Sequence, residues 1–213
     1  MKRNTFTLIE ILGVVVIIGL LAALGFAGYS YANSKARESA TQGLITRLNA
    51  AFEFARQKSG YMPDSGNKFC KISLLTDSSS EKYLIIKDDN DDFLSIVVKN
   101  DGEVKVKRNG GSEKKHSANS QNGKMYTSFY RNFVKSLQVD SMSRFINENN
   151  EIIDSWGNAV YFRYPGVLNK GGFDLISAGS DNGFGTNTAD KPSAALTDYR
   201  DGAEWICDDI ANF

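Results

Sequence analysis

Residues 6–34 read FTLIEILGVVVIIGLLAALGFAGYSYANS, the longest apolar run in the chain. No charged residue lies between Ile11 and Ser34, a run of 24 residues. A helix rises about 1.5 Å per residue, so this run spans about 36 Å, whereas the hydrocarbon core of a bilayer is about 30 Å thick. The sequence therefore predicts a membrane-spanning helix near the N-terminus.

Charged residues beside this run predict its orientation and suggest a role. Lys2 and Arg3 precede the run, which favours a cytoplasmic start and places the rest of the chain outside. Glu10 lies where the apolar run begins, and a carboxylate within a membrane helix costs roughly 2.5–3.5 kcal/mol. Position alone leaves two interpretations open: a hydrated carboxylate without a role, or one that is paired inside the membrane.

The helical pattern continues beyond the apolar run. Residues 35–59 contain no Pro, and apolar residues recur at spacings of three and four, which predicts an amphipathic helix. Its apolar face comprises Leu44, Ile45, Leu48, Ala51, Phe52 and Ala55. Gly60 and Pro63 predict the end of the helix. One helix over residues 6–59 would be about 80 Å long.

The middle of the chain carries weaker signals. Short strands are predicted over residues 83–87, 93–99 and 103–107, with a tight turn at residues 100–102. Residues 108–123 are polar and rich in Gly, Ser, Asn and Lys, which predicts a mobile loop. Residues 125–137 predict a short amphipathic helix, with Phe129, Phe133 and Leu137 facing the core.

The segment Thr5-Phe6-Thr7-Leu8-Ile9-Glu10 resembles the prepilin processing signal of type IV pilin-like proteins. The resemblance implies cleavage of a short basic leader between Thr5 and Phe6 and methylation of the Phe6 amine. The family has Gly where this chain has Thr5. Glu10 becomes the fifth mature residue, and its carboxylate is expected to pair with the amine of a neighbouring subunit, each charge offsetting the other's desolvation.

A second resemblance lies near the C-terminus. The segment IDSWGNAVY at residues 153–161 is similar to the Asp-Pro-Trp-Gly-Asn-Pro segment of the major pseudopilin of type II secretion, with Ser155 and Ala159 in place of prolines. The segment FDLISAGSDNG at residues 173–183 is similar to that family's Asp-Leu-Tyr-Ser-Leu-Gly-Ala-Asp-Gly. Together the resemblances cover residues 1–63 and 152–213.

The resemblance implies an α+β, type IV pilin-like fold: a long N-terminal helix packed on a small antiparallel sheet, with a loop-rich C-terminus. The expected parts are a leader (1–5), a transmembrane polymerisation helix (6–32) and a periplasmic head (33–213). The expected function is a structural, non-enzymatic subunit of a type II secretion pseudopilus or type IV pilus in the bacterial inner membrane. Expected partners are other pseudopilins, the prepilin peptidase and methylase, the assembly platform and the bilayer.

Calcium is the expected cofactor. Residues 145–213 contain 11 Asp or Glu and 4 Lys or Arg, although the whole chain has no net charge. The resemblance implies three side-chain ligands, Asp181, Asp208 and Asp209. It also points to the backbone carbonyls of Ser177 and Gly179. The alternative is an acidic surface that is simply solvated.

Cys70 and Cys207 are the two cysteines of the chain, and they form no CxxC motif. Both follow the apolar run, so both are expected in an oxidising compartment, where a disulfide is favoured. The loop that this disulfide closes has about 136 residues, which corresponds to roughly 4–5 kcal/mol of chain entropy. Two buried free thiols are the alternative.

Other classes of function find little support in the sequence. The neutral charge balance argues against nucleic-acid binding. His116 is the one histidine, lies in a polar run, and is expected to be a solvated side chain. Two alternatives stay open: a periplasmic enzyme or binding domain secreted by an ordinary signal peptide cleaved near Ala32, and a membrane-tethered binding module.

Overall fold

The computed structural model describes residues 8–66, 68–76, 82–88, 91–99, 103–108, 111–138, 141–180, 182–184 and 210–212. The chain divides into two compact units, Met1–Ser39 and Ala40–Phe213. Helix α1 covers Leu8–Ser59 and so contributes residues to both units. The second unit contains all the strands and a second long helix, which makes the protein an α+β protein.

The end of helix α1 lies where the sequence predicts it. Gly60 has φ +67°, a left-handed conformation that glycine adopts without strain, and its N–H donates to the Arg56 carbonyl at 2.8 Å. Arg56 and Lys58 lie in the last turn, where positive charge complements the helix dipole. The predicted start at Phe6 lies outside the described residues.

Eight antiparallel strands form one sheet over the described residues, in the order β5-β4-β3-β2-β1-β6-β7-β8. The strands are β1 Cys70–Thr76, β2 Lys82–Asp88, β3 Asp91–Val98, β4 Val104–Arg108, β5 Lys114–His116, β6 Val160–Arg163, β7 Asp174–Ser177 and β8 Ile210–Ala211. The three strands predicted in the middle of the chain are confirmed as β2, β3 and β4. The predicted turn at residues 100–102 lies outside the described residues.

The prediction of a mobile loop over residues 108–123 is wrong. Lys114–His116 forms edge strand β5, with Val106 opposite Lys114 and Val104 opposite His116. Backbone hydrogen bonds hold this strand, so its side chains can be polar, and hydropathy gives no signal for it. His116 is half-buried, with its ring 5.5 Å from that of Tyr126, and is therefore not simply a solvated side chain.

Helix α2 covers Gln121–Leu137 and begins four residues before the predicted start. Ser120 caps it, because the Ser120 hydroxyl accepts the Gly123 N–H at 3.0 Å. Phe129, Phe133 and Leu137 are buried, which confirms the predicted core face. A short 3-10 helix, Ser143–Phe145, follows.

The core of the second unit forms around the last part of helix α1. The six residues of the predicted apolar face, from Leu44 to Ala55, are all at most 2% exposed, which confirms that face. Phe52 stands at the centre. Its ring lies 4.5 Å from Phe133, 4.7 Å from Phe162 and 5.3 Å from Phe173. Helix α2 and the strands β6 and β7 therefore meet at one aromatic cluster.

Candidate functional site

The first part of helix α1 exposes a continuous apolar surface. Its large apolar side chains from Leu8 to Leu24 are 54–85% exposed. Within the described residues, α1 is the one helix that is long and apolar enough to cross a membrane. An apolar surface of this extent is unstable in water and needs lipid or other helices around it.

Glu10 lies in the first turn of α1 and is exposed. The partial positive charge at a helix N-terminus stabilises a carboxylate in that turn. Thr5 and Phe6, the predicted cleavage site, lie outside the described residues. The structure therefore places one member of the predicted assembly pair, and it places it on the accessible surface of the helix.

A buried turn lies beside the segment predicted to bind calcium. Asp154 is 1% exposed, and its Oδ1 accepts the N–H groups of Trp156 at 2.8 Å and Asn158 at 2.9 Å. Gly157 has φ +98°, which a side chain would strain. This is the geometry by which an Asp side chain organises its own turn.

The same turn is fastened to the end of β7. The Ser177 hydroxyl donates to Asp154 Oδ2 at 2.7 Å, and the Asn158 amide donates to the Gly179 carbonyl at 2.7 Å. Both Asp154 oxygens are therefore engaged. Gly179, with φ +66°, is held where the chain leaves the sheet.

Sequence reasoning assigned no role to Asp154. The spacing Asp-x-x-Gly-Asn is a signal that could have identified an Asp-centred turn. The partner on β7 had no comparable signal, because Ser177 lies 23 residues further along the chain.

The expected calcium ligands are only partly described. The structure holds Ser177 and Gly179 close together, since the Gly179 N–H donates to the Ser177 hydroxyl at 3.3 Å. Asp181, Asp208 and Asp209 lie outside the described residues. Within the described part of the chain, no group of three or more His, Cys, Asp or Glu side chains could hold a metal ion.

The C-terminal strand closes this end of the sheet. Ser177 on β7 lies opposite Ile210 on β8, so the last residue of one strand faces the first residue of the other. Asn212 fixes the strand further. Its side chain accepts the Leu175 N–H at 2.8 Å and donates to the Phe173 carbonyl and to Asn49 Oδ1, each at 3.0 Å.

Arg163 and Asp174 form an ion pair with no exposed surface on either side chain. Arg163 Nε donates to Asp174 Oδ2 at 2.7 Å, and the guanidinium stacks 4.1 Å from the Phe69 ring centroid. Asp174 also accepts the backbone N–H groups of Val167, Leu168 and Asn169. These partners satisfy the carboxylate fully, so the pair stabilises the loop between β6 and β7 and is closed to a ligand.

Cys70 is buried at the start of β1, opposite Phe162 of β6. Cys207 lies outside the described residues. The disulfide therefore stays a prediction.

No protein-family model matches this chain, and no curated protein or solved structure matches it either. The structure shows an α+β protein whose N-terminal helix is long and apolar enough to cross a membrane. Any finer assignment depends on the motifs and on the geometry described above.

Proposed function

We propose that this chain is a pilin-like structural subunit that polymerises through helix α1 into a type II secretion pseudopilus or a type IV pilus-like filament. The observation that carries the proposal is the division of α1 between two environments. Its first part is exposed and apolar, and its last part buries one face in a folded α+β unit. A filament subunit needs both features, because one part must meet lipid or neighbouring helices while the other folds alone.

Glu10 supplies the specificity of assembly in this proposal. Cleavage after Thr5 creates a cationic amine at Phe6, which is then methylated. The amine of one subunit pairs with the exposed Glu10 carboxylate of the next, which offsets the cost of both charges in the membrane and fixes the axial register of the subunits.

Small residues on α1 favour close helix contacts. Gly19 and Ala23 are four residues apart, and Ala27 continues this spacing in the sequence. Apart from the neighbouring backbone of α1 itself, no described atom lies within 4 Å of the Cβ position at Gly19. A neighbouring helix can approach closely at such a position.

Calcium binding by Asp181, Asp208 and Asp209 is part of the proposal. Asp181 follows Ser177 by four residues, and Asp209 precedes Ile210 directly. Because Ser177 and Ile210 are paired, both candidate segments are attached to the same end of the β7–β8 pair. The Asp154 turn holds the Gly179 carbonyl at that end. Hard cations favour such carboxylate and carbonyl oxygens.

The proposed location is the bacterial inner membrane, with the second unit in the periplasm. The expected partners are copies of itself, other pseudopilins, the prepilin peptidase and methylase, and the assembly platform. A Cys70–Cys207 disulfide suits this oxidising compartment. Thiol titration of the denatured, unreduced protein is expected to find no free thiol, and two titratable thiols would contradict the disulfide.

The deciding experiment compares Glu10→Leu with the matched control Glu38→Gln in cells that contain the assembly machinery. Glu38 lies on the same helix beyond the apolar run, where its ion pair with Lys35 is exposed to water and contributes little. We expect Glu10→Leu to abolish filaments at unchanged protein level, and Glu38→Gln to leave them intact.

Normal filaments from Glu10→Leu would remove Glu10 from the mechanism. Mass spectrometry of the N-terminal peptide provides the second arm of this experiment. A mature start at Phe6 with a methylated amine supports the proposal. A start at Asn33 would instead identify an ordinary signal peptide and overturn it.

A further inference from the structure

A cavity of about 520 Å³ lies between strands β4 and β5 and the first turn of helix α2. This volume is within the range of about 300–1,000 Å³ that is typical of small-molecule sites. Six polar or aromatic residues contribute to its lining: Arg108, Ser112, Lys114, His116, Asn122 and Tyr126. The assembly function proposed above makes no use of this cavity.

The register of the two strands explains why the basic residues converge. Val106 and Arg108 are two residues apart on β4, so their side chains point to the same face of the sheet. Lys114 lies opposite Val106, and His116 lies two residues further along β5 on that face. The cavity therefore has an apolar floor at Val106 with basic side chains beside it.

The charge of the lining is one-sided. None of the described lining residues is Asp or Glu, whereas Arg108 and Lys114 are cationic. Lys114 is exposed and makes no ion pair within the described residues. Helix α2 adds to the effect, because its first turn contains no acidic residue to offset the partial positive charge of a helix N-terminus.

Arg108 is held in place by two phenol groups. Its Nη2 donates to Tyr61 Oη at 3.3 Å and to Tyr126 Oη at 3.4 Å. The rings of the two tyrosines meet edge to face, 5.0 Å apart. Both bonds use one nitrogen, so Nε and Nη1 make no hydrogen bond within the described residues. Those donors suit the oxygens of a carboxylate or phosphate.

Burial lowers the pKa of Arg108, but the neighbouring Tyr61, Tyr126 and Asp64 raise it, and the net shift is upward. The guanidinium is therefore charged at every working pH, as a permanent anion site requires.

From this arrangement we infer that the cavity binds a small organic anion, with a carboxylate or phosphate group at Arg108 and Lys114 and a ring against Tyr126. The oxyanion accepts hydrogen bonds from Arg108 and Asn122. Tyr126 and Val106 are only 7% and 4% exposed, so the ring covers their small accessible edges and most of the added apolar burial comes from the ring itself.

The test uses the full chain in a neutral detergent and isothermal titration calorimetry with four probes. Phenyl phosphate and benzoate are expected to bind, and inorganic phosphate to bind more weakly because it lacks a ring. Benzyl alcohol, which lacks the charge, is expected not to bind. The stronger of the two aromatic anions identifies the class of ligand, phosphorylated or carboxylated.

Two cavity variants and one matched control localise the binding. Lys114→Gln and Arg108→Gln are each expected to weaken binding of the preferred anion by about tenfold or more, because each change removes a charged hydrogen-bond donor from the oxyanion. Lys135→Gln changes an exposed lysine at the other end of the same helix and is expected to leave affinity unchanged. The Lys114 side chain is exposed and the change to Gln leaves the backbone pairing of β5 intact, so this variant stays informative if Arg108→Gln misfolds.

Any of three results would overturn the inference. The first is the absence of heat with every anion at millimolar concentration. The second is binding that Lys114→Gln leaves unchanged, and the third is binding of benzyl alcohol with equal affinity. None of these results bears on filament formation, so the cavity and the assembly proposal fail or succeed separately.

Discussion

Helix α1 contains two regions with the same backbone and opposite surfaces. Over residues 8–26 and 28–34 the apolar side chains lie all round the helix and are exposed. Over residues 40–59 an apolar stripe from Leu44 to Ala55 is buried, whereas Phe54, on another face, is 37% exposed. The pattern of apolar residues along a helix therefore indicates whether lipid or a protein core surrounds it. A helix that is apolar all round fits lipid, and one with an apolar stripe fits a protein core.

Glu10 belongs to this comparison. The last part of α1 carries an ordinary, half-buried ion pair between Arg56 and Glu53 at 2.8 Å. The apolar part carries one carboxylate, placed where water will be scarce if the helix spans a membrane. A charge that is unremarkable in one region is costly in the other, which is the reason for the proposal that Glu10 pairs with a neighbouring subunit.

The largest expected effect is on the free energy of unfolding, which should depend on the buried part of α1 and not on its exposed apolar part. Phe52→Ala removes the centre of the aromatic cluster and is expected to lower the free energy of unfolding by about 3–5 kcal/mol. Leu20→Ala is the control, because Leu20 is 62% exposed on the apolar part, and we expect less than about 0.5 kcal/mol there. Denaturant unfolding of the full chain in detergent measures both. Equal effects would contradict the distinction between the two regions.

The second expected effect is stabilisation by calcium, and it concerns only the second unit, Ala40–Phe213. Calcium at 100 times its Kd stabilises a protein that binds it only when folded by about 2.7 kcal/mol. The melting temperature of the full chain is therefore expected to fall when calcium is replaced by a chelator.

Two variants sharpen the calcium experiment. Asp181→Ala is expected to abolish the shift, and Asp64→Ala, at an exposed carboxylate on a different loop, is expected to retain it. A shift that survives in Asp181→Ala would place the metal elsewhere, and the absence of any shift in the original chain would reject the site.

The elements that could be predicted from the sequence are those whose side-chain pattern depends directly on burial or on backbone conformation. The apolar face from Leu44 to Ala55 and the core face of α2 were predictable because burial imposes a helical period on hydropathy. The helix end at Gly60 was predictable because a left-handed residue favours glycine.

The elements that sequence reasoning missed are held by backbone pairing or by distant partners. Strand β5 has polar side chains, and strand β1 depends on partners in β2 and β6 that a local pattern does not contain. The Asp154–Ser177 bond and the Arg163–Asp174 pair form only after the sheet brings separate segments together. The basic cavity was missed because its residues were assigned to a mobile loop.

The smallest expected effect is on the melting temperature at alkaline pH, where buried and exposed tyrosines should behave differently. Burial raises the pKa of Tyr130 to about 12, above the usual value near 10. The neutral phenol is therefore favoured in the folded state. Its contribution to stability is complete below about pH 10 and is lost as the pH rises through about 12.

Tyr130→Phe has no proton to lose and is expected to flatten the decline in melting temperature between about pH 10 and 12. Part of the decline should persist, because burial, opposed by Arg108, also raises the pKa of Tyr61 to about 12. Tyr29→Phe, at a residue 72% exposed on the apolar part of α1, is the matched control and is expected to leave the decline as it is. If Tyr29→Phe flattened the curve and Tyr130→Phe did not, alkaline unfolding would begin in the apolar part of α1, and the core around α2 would not control it.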